Sequence, residues 1–90
     1  MNNKPSVQGV IAATAVSAVK VIGRRHVILV NVGAKTAFIR LNDATATVSD
    51  FPLLSGASIT LDSSEGSEIY SVVTICTGAE ATTVNYLAFN

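Results

Sequence analysis

Few residues of this chain can do chemistry, and they lie far apart. The single histidine, His26, follows Arg24 and Arg25. An Arg-Arg-His run could touch a phosphate or carry a general base. A base, however, needs an orienting partner and a nucleophile within hydrogen-bond reach, and no neighbouring motif supplies either. The run reads instead as the charged, solvated start of a strand. The single cysteine, Cys76, lies 50 positions further on. One His and one Cys cannot make a zinc cluster from one chain, and one Cys allows no intramolecular disulfide. Its simplest role is that of a small buried apolar residue; a bridge to another chain or a reactive thiol stays open.

The carboxylates are no better grouped. Asp43, Asp50, Asp62, Glu65, Glu68 and Glu80 are scattered over segments that read as turns and strand ends. Asp62-Ser63-Ser64-Glu65 brings oxygen atoms close together, but it lacks the acidic alternation and the glycine of a calcium loop. It reads as a polar turn. No glycine run follows a strand and opens a helix, as a phosphate loop would. Phe38 and Arg40 share a strand face, the only hint of the aromatic and basic interleaving that binds single-stranded nucleic acid; a core or interface phenylalanine is the simpler reading. Six Lys+Arg balance six Asp+Glu for a net charge of zero, so no basic field awaits phosphates. No catalytic residue, metal ligand or cofactor site is expected, no enzyme activity, and neither nucleic acid nor membrane as partner. Met1-Asn2-Asn3-Lys4 followed by Val7 to Val19 imitates a secretory leader, with Val16-Ser17-Ala18 at a cleavage-like position. Gln8, Gly9 and Thr14 interrupt that stretch, and it holds no leucine. The 15 uncharged residues between Lys4 and Lys20 fall short of the roughly 20 that a membrane-spanning helix needs.

With so little chemistry to position, the elements themselves carry the information. The 90 residues are 49% apolar and 13% charged, with a mean hydropathy of +0.48. A single domain of this mass folds to roughly 5,000 Å² of surface and hides only about 63% of the extended chain's area. The apolar content therefore exceeds what one protomer's thin core absorbs, and zero net charge leaves self-association unopposed.

Val, Ile and Thr make 28 of the 90 residues, a β-branched excess that favours strands, and turn residues cut the chain into short pieces. Ala57 to Asp62 alternates cleanly, with Ala57, Ile59 and Leu61 on one face. Arg25 to Val32 is apolar on both faces, as a central strand would be. Thr36 to Asn42 turns Ala37, Ile39 and Leu41 inward, and Gly33-Ala34-Lys35 fits a hairpin between these two. Ser67 to Thr77 and Ala81 to Phe89 read as a second hairpin around Gly78-Ala79-Glu80. Asp43 to Ser55 reads as a long loop with one short strand near Thr45 to Ser49. Val10 to Ile22, apolar on both faces, reads as one strand rather than a helix. The expectation is an all-β domain: a small antiparallel β-sandwich or barrel of six to seven strands over 10–90, with an extended N-terminal arm over 1–9.

Two stretches carry a family likeness. Arg25-His26-Val27-Ile28-Leu29-Val30-Asn31-Val32-Gly33 leads to Phe38-Ile39-Arg40-Leu41. Phe51-Pro52-Leu53-Leu54-Ser55-Gly56-Ala57-Ser58-Ile59-Thr60-Leu61 leads through Ile69-Tyr70-Ser71-Val72 to Thr77-Gly78. This order resembles the small β-sandwich virion proteins of tailed bacteriophages, of the head decoration or cement type. In that pattern an apolar strand ends at Asn, and a Leu-x-Pro-Gly turn opens the next strand. Ser55 stands here where proline would be usual. The resemblance, over roughly Arg25 to Phe89, implies a structural protein of the capsid surface in the virion. It implies a homo-oligomer, a trimer, bound to a lattice of the major capsid protein. The alternative reading is a fibre, spike or tail module contacting a host glycan or protein, which calls for two or three exposed aromatics on one surface. Candidate contact residues are the arm Met1, Asn2, Asn3, Lys4, Pro5, Ser6, Val7 and Gln8, the loop Phe51, Pro52, Leu53 and Leu54, and the C-terminal Phe89, together with the doubly apolar segment Val10 to Ile22. The excess apolar content of that segment and of Arg25 to Val32 reads as interface.

Overall fold

A computed structural model describes residues 4–64 and 67–90. Met1, Asn2 and Asn3 of the expected contact set lie outside the described residues, as does Glu65 of the acidic turn. The described residues are all-β and contain no helix. In chain order the strands are β1 (Val7–Ala13), β2 (Ala18–Arg24), β3 (His26–Asn31), β4 (Ala37–Leu41), β5 (Phe51–Leu53), β6 (Ser58–Asp62), β7 (Ile69–Ile75) and β8 (Thr82–Phe89). They form two four-stranded sheets, ordered β1-β8-β3-β6 (sheet A) and β2-β7-β4-β5 (sheet B). Every pairing is antiparallel.

Among the described residues eight strands form where six or seven are expected, for two reasons. Val10 to Ile22 is not one strand. It turns at Thr14 to Ser17, where the Thr14 hydroxyl accepts the Val16 N–H at 3.2 Å; β1 then lies in sheet A and β2 in sheet B. Each strand buries one apolar face, with Ile11 in β1 and Ile22 in β2, and leaves Val10, Val19 and Val21 exposed on the other. The extra strand of the long loop is Phe51–Leu53, not Thr45 to Ser49. Both expected hairpins are corrected as well. β3 pairs with β6 and β8, whereas β4 pairs with β5 and β7, so Gly33-Ala34-Lys35 is an arch between sheets. Gly78-Ala79-Glu80 likewise carries the chain from β7 in sheet B to β8 in sheet A. The expected border between arm and domain at residue 9 falls inside β1, because Val7 already pairs with Ala88 and Gly9 with Tyr86.

The core lies between the sheets. Ile11, Val27, Leu29, Val84, Tyr86 and Ala88 face it from sheet A; Ile22, Ala37, Ile39, Leu53, Ile69 and Val72 face it from sheet B. β3 is a central strand, as its double apolar pattern predicts, with Val27 and Leu29 fully buried and Ile28 and Val30 half-buried on the far side. The last residue of β3, Asn31, is fully buried and locks the two sheets together. Its amide donates to the carbonyls of Lys35 at 2.7 Å and Leu53 at 2.8 Å. Its carbonyl accepts the Thr82 hydroxyl at 2.7 Å and the Gly33 N–H at 3.1 Å. Gly33 is needed here because a Cβ would sit 2.0 Å from the Thr82 hydroxyl and 2.8 Å from the Thr83 nitrogen. Gly56 adopts a φ of 78°, and the Ala57 N–H donates to the Leu54 carbonyl at 2.9 Å, as in a type II turn. That turn favours proline at its second position. Ser55 occupies it and donates its hydroxyl to the Gly33 carbonyl at 2.6 Å.

The loop after β4 folds over the outer side of sheet B. Val73, paired with Val19 and Arg40, is fully buried although it belongs to no part of the inter-sheet core. The Ser17 hydroxyl, which accepts the Ala46 N–H at 2.9 Å and donates to the Ala46 carbonyl at 3.3 Å, pins this cover. Arg40 holds both of its ends, bonding Asp43 at 3.0 Å and Asp50 at 3.3 Å.

Candidate functional site

The end of sheet A supplies the orienting partner that the sequence around His26 lacks. The register pairs His26 of β3 with Asp62 of β6 on one side and with Phe89 of β8 on the other. The imidazole Nδ1 lies 2.6 Å from Asp62 Oδ1, and the Phe89 ring stacks on it with centroids 5.1 Å apart. Asp62 was not tied to His26 in the sequence because 36 residues separate them; cross-strand register alone joins them. The pair is a surface feature, with the two side chains 35% and 63% exposed. Among the described residues no hydroxyl or thiol hydrogen-bonds the other ring nitrogen. Arg24 does not turn to solvent as a phosphate ligand would. Its guanidinium donates to the carbonyls of Pro5 at 2.8 Å, Gly23 at 3.0 Å and Ile22 at 3.2 Å.

The arm is tied along the same edge. Lys4 donates to Glu68 at 3.0 Å and to the Gly23 carbonyl at 3.2 Å. That hydrogen bond from Lys4, together with the lysine's charge, holds the Glu68 carboxyl below its ordinary value, against a smaller opposing effect of desolvation. Asp43 is lowered chiefly by the Ala44 N–H, and further by the charge of Arg40. Burial pushes the Cys76 thiol up, with Glu80 acting in the same sense; its Sγ contacts the Ala13 carbonyl at 3.5 Å. Among the described residues no three His, Cys, Asp or Glu side chains gather to hold a metal ion, and no helix is long and apolar enough to cross a membrane.

Two groups of apolar residues stand out at the surface; Val16, Val19, Val21, Val48 and Tyr70 are exposed outside both. The first covers the outer face of sheet A. The register places Gln8, Leu87, Ile28 and Thr60 in one row across the four strands, and Val10, Asn85, Val30 and Ser58 in the next. Neither row contains a charge; the hydrogen-bonded pair His26–Asp62 lies in the row beyond. The second is a cleft of about 370 Å³ between the free edges of β5 and β6, lined by Ile39, Leu41, Phe51, Ile59 and Leu61. Sequence alternation marks Ile39, Leu41, Ile59 and Leu61 as inward. It does not show that β5, only three residues long and holding Pro52, leaves Leu41, Ile59 and Leu61 partly open while Ile39 stays buried.

The expected contact residues do not converge. Lys4, Pro5 and Ser6 run beside the end of β2, while Phe51 and Pro52 lie on β5 at the opposite edge of the same sheet. Val7 packs against the core, Gln8 is exposed in β1 beside Leu87, and Leu53 is buried at 2% exposure. Leu54 is exposed, and Phe89 stacks on His26. Val10, Leu87 and the cleft were not singled out in the sequence as contact residues of their own. Compared with known proteins, the chain matches no family model, no curated protein and no solved structure.

Proposed function

We propose that this chain is a structural protein of a virus particle. It acts as a decoration or cement protein of the capsid surface that binds the assembled lattice of the major capsid protein as a homo-oligomer. The paired sheets then form a β-sandwich, and Lys4 anchors its N-terminal arm. One observation carries the reading: the outer face of sheet A presents Val10, Ile28, Val30 and Leu87 with only Gln, Asn, Ser and Thr between them. The accessible surface of 4965 Å² is what a chain of this mass reaches on folding, roughly 5,000 Å². Part of the apolar content is carried on the outside, with Val10 and Leu87 exposed on this face. A neutral apolar face of this kind loses water on contact with a complementary surface, at about 25 cal/mol per Å². Binding only the assembled lattice stabilises that state by mass action. The likeness of Arg25 to Phe89 to phage decoration proteins points the same way. The glycan-binding alternative calls for clustered exposed aromatics; the two most exposed, Phe51 and Tyr70, line separate clefts.

Cosedimentation with expanded heads assembled from the coat protein of the same genome tests the proposal. Wild type saturates the heads. Leu87→Lys, which buries a charge in the contact, weakens binding at least about tenfold, or about 1.4 kcal/mol. Wild type left in the supernatant at every ratio refutes the reading.

A further inference from the structure

Among the described residues four strands end a sheet, and three of them are blunted. β2 carries Lys20 and Arg24 and loses register between Val21 and Arg24, with Gly23 at a φ of 61°. β5 is three residues long and holds Pro52. β6 ends on Asp62. Charges, proline, shortness and bulges are the devices by which proteins keep edge strands from pairing with other chains. β1 has none of them. Its seven residues carry no charge and no proline, and its register with β8 is unbroken from Val7 to Ala13. Among the described residues β1 pairs on one side only, so its other side presents a row of backbone donors and acceptors.

We propose that this edge is a self-association site. Two copies of the chain pair β1 with β1, antiparallel, about a twofold axis at Val10, joining two copies of sheet A into one eight-stranded sheet. The occupant follows from the strand itself. Antiparallel pairing about Val10 sets Val7 opposite Ala13 and Gly9 opposite Ile11 on the inner face, large against small in both cases. On the outer face Gln8 meets Ala12 and Val10 meets its own copy, so no charge faces a like charge. Net charge zero adds no repulsion between copies. Lys20, on adjacent β2, is drawn over the Tyr86 ring, 5.8 Å from its centroid. The Val10 row of sheet A then runs on across the axis into its own copy, and the Gln8 row into the charge-free row of Ala12 and Thr83. This inference does not depend on the capsid reading, and it replaces the threefold assembly that the family resemblance implies.

Sedimentation velocity over a dilution series, joined to cysteine crosslinking, tests it. Wild type sediments as a species of twice the 9.3 kDa protomer. Val10→Lys sediments as a folded monomer with an unchanged circular-dichroism spectrum, because Val10 is 62% exposed in the protomer. Opposed Cα atoms in antiparallel strands stand about 4.5–5.5 Å apart, within disulfide reach. With oxidised glutathione as the oxidant, which is reduced to two thiols as the bridge closes, Val10→Cys therefore gives a covalent dimer, whereas Ser58→Cys on the opposite edge does not. A monomer at all concentrations, a threefold mass, a dimer that survives Val10→Lys, or crosslinking through Ser58→Cys in place of Val10→Cys overturns the proposal.

Discussion

Asn31 joins the two sheets, and its replacement is the sharpest test of how this fold holds together. The side chain is fully buried and makes four hydrogen bonds, to Lys35, Leu53, Thr82 and Gly33. A buried hydrogen bond contributes about 0.5–1.5 kcal/mol net, and a buried polar group left unpaired costs about 1–3 kcal/mol. Asn31→Ala removes all four bonds and strands the Leu53 and Lys35 carbonyls, for an expected loss of about 3–5 kcal/mol. That is a large part of the 5–15 kcal/mol typical of a domain. At about 4–8 °C per kcal/mol for a chain of this size, even a loss of about 3 kcal/mol lowers Tm by roughly 12–24 °C. Asn31→Asp keeps the shape but turns a carboxylate oxygen toward two carbonyls. Burial and those carbonyls raise its folded pKa above the unfolded value of about 3.9. The variant's deficit relative to wild type is therefore smallest below that pH and grows as pH rises through the folded value. Thermal and urea melts followed by circular dichroism at acid and neutral pH read both effects, with exposed Asn85→Ala as the control, within about 0.5 kcal/mol of wild type. An Asn31→Ala loss below about 1 kcal/mol, or an Asn31→Asp deficit independent of pH, refutes the reasoning.

Ala79 holds a φ of 68° in the arch between β7 and β8, where a Cβ is disfavoured. Ala79→Gly is expected to raise stability by about 0.5–1 kcal/mol in urea melts, reading opposite to the usual cost of glycine. The Lys4–Glu68 tether depends on an ionised Glu68 whose pKa is lowered in the folded chain. Its contribution is present above the ordinary value of 4.5 and is lost only as pH falls through the lower folded value. NMR signals of Lys4 to Ser6 and Gly23 should therefore hold down to that pH and shift below it; Lys4→Met should shift them already at pH 7. Cys76, 1% exposed and with a raised pKa, should resist Ellman's reagent at pH 8 in the native protein and react at once in denaturant. Removal of residues 1–6 leaves β1 whole and should leave the melting curve near that of wild type, whereas removal of 1–8 takes Val7 and Gln8 out of their pairing with Ala88 and Leu87 and should lower it.

Alternation made the faces of β8 and β6 legible, but not those of β7, where Val72 rather than Val73 joins Ile69 in the core. Val84, Tyr86 and Ala88 point inward, and Ile59 and Leu61 lie on the half-buried face of β6. Period-two patterning says nothing about partners, so it does not tell an arch from a hairpin at either short connection. Gly33 and Gly78 serve an arch as well as a tight turn, and what commits the first to an arch is Asn31 reaching Leu53 across the sheets. The pairing of His26 with Asp62 and the row from Gln8 to Thr60 depend on register between strands distant in sequence. Val10 shows the same limit: its apolar side chain was visible, but its place on a bare sheet edge follows only once β8 is known to lie on its other side.

The central claim is that the neutral outer face of sheet A meets a coat lattice. A cryo-electron microscopy reconstruction of expanded heads, with and without the added protein, tests it most directly. The account predicts ordered difference density on the outer surface of the shell, with Ile28, Val30 and Leu87 turned toward the coat. Heads that show no added density, or density in which that face looks out to solvent, contradict it.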